Sequence, residues 1–209
     1  MTDIMLDEIK SAFVENKRAI LIAVIIFLVS IVLGYLLEPY VHDLFNPVVD
    51  DLTQKVKTGV IKLTFWSIFS NNIRIVFMMF IFGMLFCFSA VILAFNAFFA
   101  SYYVATNDNL LYTLLLIIPH GIFEFSSCII ACASGFVLFN FILNFLKTIH
   151  KQEDGPVKTI LHTSFSQNYA KLKQAVILLI VASVLMAIAG YVEVYLTIPI
   201  ADFIMSFLT

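Results

Sequence analysis

The chain has 209 residues, 62% hydrophobic and only 12% charged, and its 12 basic and 14 acidic side chains leave a net charge of −2. A water-soluble domain carries about 25% charged residues, so this composition excludes one and points to an integral membrane protein. The near-neutral balance offers no basic surface to hold a phosphate backbone, which excludes a nucleic-acid partner.

Residues 1–18 form a leader carrying Lys10, Lys17 and Arg18, in which Ile4, Met5, Ile9, Ala12 and Phe13 recur at helical spacing. That pattern predicts an amphipathic helix, and without a cleavable signal pattern the leader is expected to stay attached. Residues 19–37 are uncharged and predict a first span ending at Glu38-Pro39. In the 38–74 loop, Asn46 can cap a short helix with Pro47 at its first position, Asp50 and Asp51 in the first turn, Lys55 and Lys57 in the last, and Gly59 beyond. Val48, Leu52 and Val56 give that helix one apolar stripe, to rest on the bilayer or on a partner.

Residues 75–107 contain no charge and predict one long second span. Residues 110–146 are also apolar, but Pro119-His120-Gly121 predicts a break there, between a short third segment and a full-length fourth from Ile122. The loop 147–173 includes an amphipathic stretch opened by Gly155-Pro156, through Ile160, Leu161 and Phe165. A fifth span at 175–192 leads to Thr197-Ile198-Pro199 and an amphipathic tail. The expected fold is an all-α polytopic membrane helical bundle. It is a single membrane domain over 1–209, with about five membrane segments, the Pro-His-Gly break between the third and fourth, and short interfacial helices.

Lys and Arg collect on the cytoplasmic side of membrane proteins. Lys147, Lys151, Lys158, Lys171 and Lys173 therefore place the 147–173 loop inside with the leader, while the 38–74 loop and the C-terminus fall outside. Counting the short segment before Pro119 as a crossing makes this arrangement close. Lys55, Lys57, Lys62 and Arg74 in the 38–74 loop strain the rule, although acids flank them.

Charged groups at the bilayer centre cost about 2.5 to 3.5 kcal/mol on insertion scales, so His120, Glu124 and Glu193 are the candidate functional cluster. His120 and Glu124 are four residues apart and share a helix face. Three roles are open: pinning the helix break by satisfying loose backbone, handling an ion or proton, or holding a metal with one imidazole and two carboxylates. Neither H-E-x-x-H nor G-x-S-x-G occurs, and Ser126 and Ser127 have only His120 as a nearby base, so an enzyme is not expected. No cofactor is expected either. Asn71 and Asn72 head the second span, Asn96 lies within it, and Asn140 and Asn144 share a face of the fourth, all suited to interhelical registry. The small-residue run 131–135, ending at Gly135, predicts a close helix crossing. Cys87, Cys128 and Cys132 lie in apolar runs as reduced packing residues.

The stretch Leu116-Ile117-Ile118-Pro119-His120-Gly121-Ile122-Phe123-Glu124, with the small run to Gly135, resembles the signature of the stage II sporulation protein M family. Phe65-Trp66-Ser67-Ile68-Phe69 before Asn71-Asn72, Gly83 and Asn96 upstream, and Ala189-Gly190-Tyr191-Val192-Glu193 through Pro199 downstream extend the resemblance. The resemblance implies a multi-spanning protein that, in spore formers, anchors and localises the peptidoglycan-degrading sporulation proteins D and P during engulfment. The expected function is therefore a non-enzymatic scaffold in the cell membrane. Its expected partners are the bilayer, membrane or cell-envelope proteins, or a second copy of the chain. The alternative is a carrier or channel for an ion, proton or lipid using His120, Glu124 and Glu193.

Overall fold

A leader helix, α1 (Thr2–Glu15), opens the computed structural model, which describes residues 2–60, 62–85, 88–151 and 156–207. Cys87 and Gly155 lie outside the described residues. Among the described residues there are eight α-helices and no strand. Five are long and apolar enough to cross a membrane: α2 (Lys17–Leu36), α4 (Phe65–Phe82) with a 3-10 turn to Leu85, α5 (Phe88–Ala105), α6 (Leu110–Lys151) and α7 (Val157–Tyr195). The remaining helices are α3 (Glu38–Lys57) and α8 (Thr197–Met205).

The five-helix count agrees with the sequence reading, but the helices are divided differently. The uncharged stretch 75–107 is not one helix; it is interrupted at Gly83–Leu85 and returns as α5. Gly83 lies backbone to backbone against Gly135 of α6, where a side chain on either residue has no room. The Ser89 hydroxyl, on the returning helix, donates to the Met79 carbonyl and ties the turn.

Conversely, Pro119 does not break the chain. α6 runs unbroken through Pro119, His120 and Gly121. Proline removes one hydrogen bond, to the Leu115 carbonyl. Opening a whole turn in lipid would strand several polar groups at several kcal/mol each, so the continuous helix is the cheaper solution. The crossing assigned to the segment before Pro119 is carried by α5, which puts the 106–109 link at the same end of the bundle as α3.

α3 also starts earlier than its cap residues suggest. Pro39, not Pro47, occupies its first turn, Pro47 lies inside it, and the Asn46 amide donates to Asp50 (3.1 Å) instead of capping. Its C-terminal end falls where Gly59 signals, with that glycine at φ +73°. Phe45 packs among the rings of Phe95, Phe98, Phe99 and Tyr102, and the Tyr102 hydroxyl donates to the His42 carbonyl (3.4 Å), anchoring α3 on α5.

Small residues let the spans approach closely, which matters because lipid supplies no hydrophobic drive between helices. Ala23, Phe27, Ser30 and Gly34 are the buried stripe of α2, and a Cβ on Gly34 would collide with the Phe98 carbonyl oxygen of α5 and lie 3.0 Å from the Phe98 Cα. Ser101 donates to the Ile31 carbonyl across that contact (2.6 Å). Between α6 and α7, Ser127 donates to the Ala182 carbonyl (2.6 Å) and Ser134 to that of Ala175 (2.8 Å). Ala131, Cys132, Ala133, Ser134 and Gly135 are all buried, so the close crossing lies where the small run predicts it.

The segment 147–173 is helical on both sides of residues 152–155, not a loop. With 42 residues, α6 is about 63 Å long, roughly twice a bilayer core of about 30 Å. The α6–α7 pair therefore projects past the other spans at the end where α1 packs. There, Asn16 donates to the Ala12 carbonyl (2.8 Å) and to Gln174 Oε1 (3.0 Å), while Gln174 donates to Glu15 (2.7 Å) and Lys171 to Gln174 (2.9 Å). This latch between leader and α7 was not foreseen.

Candidate functional site

Two stretches that carry the family resemblance touch each other and form one wall of a cleft. Thr64 caps α4 by accepting from the Ser67 amide (3.3 Å), which starts the helix at Phe65. Phe65 and Phe69 stack (5.5 Å between centroids) against Gly190 of α7, where even a Cβ would find ordinary van der Waals contact at 3.6 Å. One turn along, Glu193 faces the same way as α4's Asn71, Asn72 and Arg74. With Leu52 of α3 and Glu124 of α6, these residues line a cleft of about 810 Å3.

His120, Glu124 and Glu193 converge in this region. One nitrogen of His120 and one oxygen of each carboxylate all lie within 4.8 Å of one another, and all three residues are half-buried. The convergence has a simple origin. His120 and Glu124 are one turn apart on α6, and the antiparallel α7 brings Glu193 alongside just before the chain bends at Leu196 into α8. Phe27, in the middle of α2, meets Phe125 at 5.1 Å between ring centroids, so the cluster sits near mid-depth.

Thr197, at the start of α8, completes the arrangement and was not foreseen. Its buried hydroxyl donates to the Val192 carbonyl (3.2 Å), and its oxygen lies 3.2 Å from His120 Nδ1. While the threonine proton is on Val192, its oxygen can accept from an Nδ1–H of His120, and that tautomer carries its lone pair on Nε2. Among the described residues, neither Glu124 nor Glu193 has a hydrogen-bond or ion-pair partner. Arg74 lines the cleft but makes no ion pair there.

Toward the leader end the cleft closes. A cavity of about 30 Å3, bounded by Glu124, Asn96, Phe27, Leu93 and Cys128, has room for about one water. Beyond it lie the buried run 131–135 and the Gly83–Gly135 contact.

The other predicted residues are placed as follows. Pro119 is half-buried and Gly121 buried, both within continuous α6. Asn72 lines the cleft. Asn96 donates to its own helix at Ile92 (3.5 Å) and borders the small cavity. Asn140 and Asn144 are exposed, with no hydrogen bond from their side chains to another helix among the described residues, so interhelical registry falls to Ser101, Ser127 and Ser134 instead. Serine serves better at these crossings because its short side chain reaches a neighbouring carbonyl without holding the helices apart. Cys128 and Cys132 are free and buried. The Ser127 hydroxyl is engaged with Ala182 and that of Ser126 with Ile122, away from His120.

The stage II sporulation protein M family model matches residues 23–198. A Methanocaldococcus jannaschii protein described as uncharacterized is 30% identical over 214 residues, covering 96% of this chain and 91% of its own length. A second protein from that organism, described in the same way, is 28% identical over 195 residues, covering 91% of this chain and 99% of its own length. No solved structure matches the chain.

Proposed function

Because the chain belongs to the stage II sporulation protein M family, a multi-pass membrane protein with five candidate spans, we propose that it is a non-enzymatic scaffold that holds partner proteins at the membrane. The observation that carries this reading is the one-sided cleft. A conduit needs a polar route to both faces, whereas here the mid-depth cluster is walled off on the leader side by packed small residues and close backbone contact. The exposed stripe Val48, Leu52 and Val56 on α3, beside the cleft mouth, is the surface offered to a partner.

We place the leader and the projecting end of the α6–α7 pair in the cytoplasm, with α3, the cleft mouth and α8 outside the cell membrane. Arg74 belongs to α4 and not to a loop, and Lys55 is paired with Asp51 (2.6 Å), which weakens the positive charge that opposed this orientation.

The test is to place a photo-crosslinking residue at Val48 or Val56 in cells and, in parallel, to measure ion, proton and lipid flux in proteoliposomes. A discrete crosslinked partner without flux is the expected result. A carrier remains the second reading because acids stand at mid-depth; flux lost in a folded Glu124→Gln variant would establish it and end the scaffold-only reading.

A further inference from the structure

His120, Glu124 and Glu193 each bring one potential ligand atom to a common point, all within 4.8 Å of one another. Glu124 and Glu193 bring two carboxylates together near mid-depth, neither hydrogen-bonded nor ion-paired among the described residues, and Arg74 lines the same cleft without pairing with either. With Nδ1–H donated to Thr197, the neutral tautomer of His120 leaves its Nε2 lone pair free for a ligand. An uncompensated pair of carboxylates in such surroundings is strongly unfavourable.

We propose that His120, through Nε2, and Glu124 and Glu193, each through a carboxylate oxygen, bind one divalent first-row transition-metal ion of the zinc class. One imidazole and two carboxylates form a donor set that suits zinc and its neighbours, whereas calcium and magnesium take oxygen-only sites. Bonds of about 2.0 to 2.2 Å around zinc put ligand atoms roughly 3.3 Å apart. The present limit of 4.8 Å closes to that by small rotations of two flexible glutamates on fixed helices. Thr197 supplies the outer-shell contact that metal-binding histidines almost always have, an acceptor for the other ring N–H that fixes the tautomer. The carboxylates also line the cleft, so a fourth ligand, water or a partner's donor group, can enter from it. Metal binding stands apart from partner capture, and either can fail without the other.

The test uses the full chain purified in detergent, stripped with a chelator and then loaded with zinc alone. One zinc per chain by elemental analysis, and visible d–d bands of low-symmetry coordination when Co2+ replaces it, are expected. Glu124→Gln and Glu193→Gln should each lose the bound metal and the rise in melting temperature that zinc confers on the wild type. Thr197→Val should weaken zinc affinity about 10- to 100-fold while leaving the metal-free melting temperature near wild type. His42→Ala, which removes the exposed His42–Glu38 pair on α3 (2.7 Å), should bind as wild type does. The proposal is overturned if the wild type takes up no stoichiometric metal, in which case protons compensate the carboxylates. It is equally overturned if both glutamine variants bind zinc with wild-type affinity.

Discussion

Gly83 and Gly135 meet so closely that a Cβ on Gly83 would lie 2.6 Å from the Gly135 carbonyl carbon. The contact joins the turn between α4 and α5 to α6, and forms part of the barrier below the cleft. Gly135→Ala should lower stability by about 1 to 3 kcal/mol through overpacking, read as an earlier thermal unfolding midpoint in detergent. Gly59→Ala, with nothing within 4 Å but φ at +73°, should show only backbone strain, about 1 kcal/mol.

Ser134→Ala and Ser127→Ala each remove a hydroxyl that bridges α6 to a carbonyl of α7. Those carbonyls keep their helical partners, so each substitution should cost only about 0.6 to 2 kcal/mol. The double variant should be close to additive, since the two serines lie two turns apart. Unfolding titrations in mixed micelles measure all three.

The latch at the base of the bundle should depend on pH. The Gln174 amide, foremost, then the Ser11 hydroxyl and the Lys171 ammonium, hold the Glu15 carboxyl below its ordinary value of 4.5. A carboxylate depressed on folding contributes its full stabilisation above the unfolded value and loses it as pH falls through the folded one. The opening equilibrium of α1, obtained from amide exchange rates divided by their intrinsic values at each pH, should therefore be flat from neutral pH down to about 4.5 and rise below it. Glu15→Gln should flatten that rise; an unchanged profile would assign it to another group.

The position of the 106–109 link separates a continuous α6 from a broken one. With Cys87, Cys128 and Cys132 replaced, cysteine at Asp108 should react with an impermeant thiol reagent in intact cells as strongly as cysteine at Thr53 on α3. Cysteine at Lys158 should react only after permeabilisation. Labelling of Thr53 without Asp108 would restore the break at Pro119.

The sequence reading succeeded where a residue's chemistry acts locally and failed where a neighbour decides. His120 with Glu124 was legible from four-residue spacing, and the small run ending at Gly135 announced a crossing without naming what crosses. The turn at Gly83 was illegible because it depends on Gly135, 52 positions away. Pro119 misled because it reads as a break by the rule for helices in water, whereas in lipid α6 continues through it; Asn46-Pro47 misled because α3 has already begun at Glu38-Pro39, eight residues earlier. Thr197 gave no signal at all, because its role exists only once α7 bends and returns it to His120.

The unbroken course of α6 also makes it a lever. Glu124 lies 27 residues from Lys151, about 40 Å along one helix with no joint between. A tilt imposed by anything gripping the projecting end is thus transmitted through a single rigid body to the cluster. It also reaches the lip of a cleft that opens on the opposite face, so an event on one side of the bilayer can alter what the other side holds without anything passing between them.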